Sequence, residues 1–126
     1  METLNLKGYA HLGDAVYEVF VREKIIFLTS KLAKMHKINT SLVCAAFQCE
    51  LLDVLQNHLT ENEIDIVRRG RNIQISSARK ISQKLHRLAT GFEALIGYLY
   101  LNDKERLSFV FKIIDDYINT KDFAEN

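Results

Sequence analysis

The sequence predicts an all-α protein, an antiparallel helical bundle folded as a single domain over residues 1–126. Three observations carry that reading. Proline is absent and glycine occurs only five times, so the punctuation that a many-turned β architecture needs is missing. Apolar residues recur at three- and four-residue spacings along nearly the whole chain, the period of helices with one buried face. Start and stop signals cut this pattern into about five to seven segments, as in a small bundle. At 48% hydrophobic content the chain has enough apolar surface for a core.

The first helix is expected from about Gly8 to Leu28, with Leu12, Ala15, Val16, Val19, Phe20, Ile26 and Phe27 forming its buried stripe. Thr29 and Ser30 are caps for a second helical stretch beginning at Lys31. Leu42, Ala46, Cys49, Leu52, Leu55 and Leu59 carry that stretch to about Asn57, with a break expected near Asn39 and Thr40. Thr60-Glu61-Asn62-Glu63 has the capping-box pattern and starts a third helix, which Gly70 ends. Arg71 to Ser77 reads as a loop. Ile81, Leu85, Leu88, Phe92, Leu95 and Leu99 define a helix ending near Leu101. Asn102 or Asp103 then caps a last helix with Leu107, Val110, Phe111, Ile114 and Ile118 inward, and Lys121 to Asn126 are expected to fray. There are no internal repeats.

Several function classes are disfavoured. No apolar run approaches a membrane span, and the N-terminus has no basic segment followed by an apolar core, so the expected compartment is the cytoplasm. Cys44 and Cys49 lie at no zinc-binding spacing and read as packing residues. His11, His36, His58 and His86 form no helical ligand pair, and Ser76 and Ser77 have no histidine or acid at a recognisable spacing, which argues against histidine-based hydrolysis. Tyr98 and Tyr100 read as packing beside a buried stripe rather than as base-stacking residues.

Charge is unevenly spread. The net charge is only +1, but no acid lies between Asp65 and Glu93. That window holds Arg68, Arg69, Arg71, Arg79, Lys80, Lys84 and Arg87, seven of the 17 bases, leaving ten against 16 acids elsewhere. A charge run is usually a solvated face, and arginines at a helix end often cap carbonyls. An acid-free run with five arginines nevertheless suits phosphate, which guanidinium binds in bidentate fashion.

Two stretches set carboxylates beside small residues in helices otherwise fit for burial. In His11-Leu12-Gly13-Asp14-Ala15-Val16-Tyr17-Glu18, Asp14 lies near the apolar stripe and Glu18 follows one turn on. Two acids so placed repel unless something positive intervenes, either a cation or a paired arginine for Asp14 with Glu18 left solvated. In Ala89-Thr90-Gly91-Phe92-Glu93-Ala94-Leu95-Ile96-Gly97, two glycines each cost about 1 kcal/mol against alanine in a helix interior. Close packing of these two helices accounts for Gly13, Gly91 and Gly97 together and brings Asp14 near Glu93. Magnesium, a hard ion bound by oxygens, would make that proximity favourable.

Leu12-Gly13-Asp14-Ala15-Val16-Tyr17-Glu18 resembles the signature helix of the ribonuclease III family, and Glu93-Ala94-Leu95-Ile96-Gly97 followed by Leu101 resembles its second metal-binding motif. With Arg69-Gly70-Arg71-Asn72, the chain is most similar to the family's small type, a catalytic domain without a double-stranded-RNA-binding domain. The resemblance covers nearly the whole chain. It implies a magnesium-dependent homodimeric endonuclease that hydrolyses double-stranded RNA with metal-activated water, with ribosomal RNA (23S precursor) maturation as the usual substrate class. On it, Asp14 and Glu93 are the catalytic metal ligands, with Glu18 standing behind them. Arg68, Arg69, Arg71, Asn72, Arg79, Lys80, Lys84 and Arg87 face the RNA. Larger members carry two more carboxylates, where this chain has Ala10 and Thr90, so water, phosphate oxygens or Glu18 from behind would have to complete the coordination. His11 stands where those members place a phenylalanine that packs into the partner subunit, which puts it at the dimer interface. The competing readings are a catalytically silent helical RNA-binding domain, which needs only the basic window, and a helical dimerisation module, which needs neither feature.

Overall fold

The computed structural model describes residues 5–73 and 80–121. Among these the chain forms six helices, α1 (Leu6–Ile25), α2 (Leu32–Val43), α3 (Ala45–Leu55), α4 (Glu61–Arg71), α5 (Lys80–Asn102) and α6 (Lys104–Ile118), and no strand. The all-α reading holds. The rest of the expected loop, Gln74 to Ser77, and the C-terminal end beyond Lys121 lie outside the described residues.

α5 is the hub, packed against α1, α3, α4 and α6. Phe92, Ala94, Leu95 and Ile96 on it are fully buried, which fits its continuous apolar run. Burying the three large side chains, at roughly 1.5–3 kcal/mol each, outweighs the helix-propensity cost of Gly91 and Gly97.

α1 differs from expectation in which face it buries. Leu6, Ala10, Gly13, Tyr17, Val21 and Ile25 point inward, whereas Ala15, Val19, Ile26 and Phe27 are exposed and Leu12, Val16 and Phe20 are half-buried. The reason is the approach of α5, which demands the smallest residues of α1 where the helices meet. An apolar stripe read by hydrophobicity passes over glycine and tyrosine, yet Tyr17 is fully buried because its hydroxyl donates to Leu42 O at 2.7 Å.

The break in the long second stretch falls at Cys44, not at Asn39 and Thr40, because Cys44 is extended (φ −67°, ψ 158°) and separates α2 from α3 by a bend of 54°. Cys44 is exposed there and not a packing residue; Cys49 is half-buried. Past the bend the inward face of α3 is Phe47, Gln48, Leu51 and Leu55, while Ala46 is exposed. No single described helix is long and apolar enough to cross a membrane.

Two start signals are realised as read. Thr60 Oγ1 accepts from Glu63 N at 3.1 Å while Glu63 Oε1 accepts from Thr60 N at 2.9 Å, and Asp103 Oδ1 accepts from Arg106 N at 3.0 Å. Thr29 and Ser30 only flank the next helix, whose N-cap is Lys31. Gly70 does not end α4, which runs to Arg71. It is a crossing residue instead, since a Cβ on Gly70 would lie 2.9 Å from Gly91 Cα on α5.

Candidate active site

The crossing of α1 and α5 fixes the site. A Cβ on Gly13 would lie 1.8 Å from Glu93 O, and one on Gly97 would lie 1.9 Å from Tyr9 O. Backbone therefore touches backbone, which only glycine allows. Asp14 and Glu93, the residues beside this crossing point, meet through a side-chain hydrogen bond. The expected pairing of the two motifs is realised.

Glu93 is half-buried, and burial first, then the charge of Asp14, push its carboxyl up to about 7, partly offset by a hydrogen bond from Gln48. Beside a second carboxylate in a partly dry site, Glu93 keeps its proton to a higher pH than an ordinary glutamate. Glu18 is also half-buried; it accepts from Arg22 Nε at 3.1 Å and from Asn39 Nδ2 at 3.5 Å. It is thus held by an arginine and an amide, one turn behind Asp14. No arginine ion pair to Asp14 occurs among the described residues.

The donor set suits a hard divalent cation. Every side-chain donor here is oxygen, and a cation would relieve the repulsion between the two acids that raises the Glu93 pKa. Among the described residues no three His, Cys, Asp or Glu side chains converge as a complete metal cage. That agrees with Ala10, buried on α1 one turn before Asp14, and with Thr90, whose hydroxyl donates to His86 O at 2.7 Å. Magnesium tolerates such a sparse set because it keeps several of its waters.

Asn39 and Gln48 escaped the sequence reading. Gln48 Nε2 donates to Glu93 Oε2 at 3.3 Å and to Val43 O at 3.0 Å, the latter a carbonyl left unpaired by the break at Cys44. The available signal was a lone amide in the otherwise apolar run Ala45-Ala46-Phe47-Gln48-Cys49.

The basic window divides in two. Asp65 at its edge pairs with Arg68 and, at 3.0 Å, with Arg69 Nε, so the charge of these two is partly neutralised within α4. Arg71, Asn72, Lys84 and Arg87, with Gln83 and Leu88, instead line a cavity of about 320 Å³ between the ends of α4 and α5. Arg79 and the side chain of Lys80 lie outside the described residues. His11 is exposed on α1; His36 on α2, His58 after α3 and His86 on α5 are exposed too.

Residues 7–104 match the Ribonuclease III domain. The chain is 38% identical over 117 residues to a Mini-ribonuclease 3 of Gloeobacter violaceus, covering 93% of this chain and 87% of that protein. It is 44% identical over 112 residues to a Mini-ribonuclease 3 of Symbiobacterium thermophilum, covering 86% of each. In structure it is similar to a crystallised protein of Fusobacterium nucleatum at a TM-score of 0.77 and 26% identity, covering 88% of this chain and 91% of that one. The matched region contains both acid motifs and the glycines that bring them together, so the chain belongs to the ribonuclease III family, in its Mini-ribonuclease 3 branch, and is an endoribonuclease.

Proposed function

We propose that this endoribonuclease is a magnesium-dependent, homodimeric, cytoplasmic enzyme that consists of one catalytic domain and cuts double-stranded RNA in ribosomal RNA (23S precursor) maturation. The meeting of Asp14 and Glu93 across a glycine-only helix crossing carries this reading. Both acids would hold the ion. When bound, magnesium would supply the charge that lowers the pKa of a water and neutralises phosphate oxygens. For its part, the chain brings Asp14 and Glu93 together at the glycine crossing, and the Gln48 N–H fixes the orientation of the Glu93 carboxylate. Arg71, Asn72, Lys84 and Arg87 face a phosphate backbone with guanidinium, ammonium and amide donors, suited to A-form RNA read through its backbone and 2′-hydroxyls. Arg68 and Arg69 on α4 are further basic residues of that reading.

A second copy of this chain is the proposed occupant of the outer face of α1. Leu12, Ala15, Val16, Val19 and Phe20 line a groove of about 420 Å³ with Tyr100, Leu107 and Phe111, and Val19 is 57% exposed. An apolar patch of this kind marks an interface, and an isologous pairing would place His11, at the same end of α1, near the two-fold axis.

The test is incubation of wild type and Asp14→Asn with long double-stranded RNA, with and without magnesium. Cleavage only by wild type and only with the ion is expected. Cleavage by both proteins without magnesium would refute the reading.

A further inference from the structure

Gln48 and Glu63 are the buried polar side chains among the described residues, at 2% and 4% exposed. Arg106 and Thr60 account for Glu63. Gln48 is only half accounted for. Both its N–H groups are used, on Val43 O and Glu93 Oε2, while Oε1 is buried without a hydrogen-bond partner. A methionine there would match its length and leave no acceptor unpaired, so the amide is not what packing alone favours.

Asn39 repeats the pattern on α2. Its Nδ2 donates to Glu18 Oε1 at 3.5 Å, and its Oδ1 is buried and unpartnered. These two oxygens are the buried side-chain atoms without a partner among the described residues, and both belong to amides that hold an acid of the site. The oxygen and nitrogen of an amide share one carbon, so Gln48 Oε1 lies within about 6 Å of Glu93 Oε2.

We propose that Gln48 and Asn39 are positioning residues of the carboxylate site, each giving an N–H to one acid and keeping its carbonyl oxygen to accept from water around the ion held by Asp14 and Glu93. The inference rests on the metal reading above. Water on a divalent cation can only donate, so it needs acceptors, and an amide oxygen supplies one without adding a negative charge to two carboxylates already in contact. The neutral amides thus do part of what further carboxylates at Ala10 and Thr90 would do, from α2 and α3 rather than from α1 and α5.

Gln48→Met and Asn39→Leu, made separately, test this on the RNA-free protein by calorimetric titration with manganese and by melting without metal. Melting temperature should be unchanged or higher, and manganese affinity lower by about 10- to 100-fold. The magnesium concentration for half-maximal cleavage should rise with no change in the KM for RNA. Wild-type manganese affinity in both variants would overturn the proposal while leaving the metal reading intact, as would a lowered melting temperature with unchanged affinity. A wild type that binds no manganese would overturn both. If one variant fails to fold, the other decides.

Discussion

Gly13 and Gly97 face each other across the α1–α5 crossing so closely that a Cβ on Gly13 would lie 2.8 Å from Gly97 N, and one on Gly97 would lie 3.0 Å from Gly13 N. The opposed atoms are backbone and cannot swing aside. Gly13→Ala and Gly97→Ala should each destabilise the fold by about 3 kcal/mol or more, seen as a lower urea midpoint. Gly8 has open space around it, so Gly8→Ala should be neutral or stabilise by up to about 1 kcal/mol. Equal effects at Gly8 and Gly13 would contradict the close crossing.

Asp14→Asn and Glu93→Gln remove charge at nearly constant volume. Each should abolish cleavage while circular dichroism and most RNA binding persist. Neither should lower stability in the absence of metal, because each relieves the repulsion between two acids. Full activity in either variant would exclude it from the catalytic pair.

Arg106 forks onto buried Glu63, with Nε 2.6 Å from Oε2 and a second nitrogen 2.9 Å from Oε1. Burial raises the Glu63 pKa, but the hydrogen bonds from Arg106 and Thr60 outweigh it and hold the carboxyl below its ordinary value. A lowered native pKa stabilises the fold above the unfolded carboxylate value near 4.5, and that stability disappears as pH falls through the native value. Arg106→Leu strands a buried charge and should cost about 3–5 kcal/mol at neutral pH. Its deficit in melting temperature should shrink below about pH 4.5; a deficit constant with pH would show that the ion pair is not its source.

Ion pairing to Asp65 sets Arg68 and Arg69 apart from Arg71 and Arg87. Arg71→Ala with Arg87→Ala should flatten the salt dependence of RNA binding by up to about 0.7–0.9 for each phosphate that the protein no longer neutralises. Arg68→Ala with Arg69→Ala should do less, since Asp65 already pairs with both. Identical salt slopes for the two double variants would remove the cavity between α4 and α5 from the RNA surface.

Val19→Lys puts a charge in the middle of the exposed apolar face of α1 and should give monomers on sedimentation. His11→Phe should tighten the dimer at neutral pH, because it adds an apolar ring at the edge of that face. An unchanged dimer affinity in His11→Phe would place His11 away from the two-fold.

What the sequence determined by itself was whatever depends on local signals. The capping box at Thr60, the cap at Asp103 and the uninterrupted apolar period of α5 are realised because each rests on neighbours within one turn or on burial from all sides. The joining of Asp14 to Glu93 was also legible, since glycines in helix interiors signal a close backbone approach. Tertiary structure decided which face of α1 is buried: its apolar stripe is wide enough for either orientation, and the small-residue crossing with α5 selects Ala10, Gly13 and Tyr17. It also moved the second break to Cys44, where Tyr17 and Gln48 take up the freed carbonyls of Leu42 and Val43. Gln48 and Asn39 came to the acids only through that break, because an amide side chain has no sequence period of its own and is placed by whatever backbone it can satisfy.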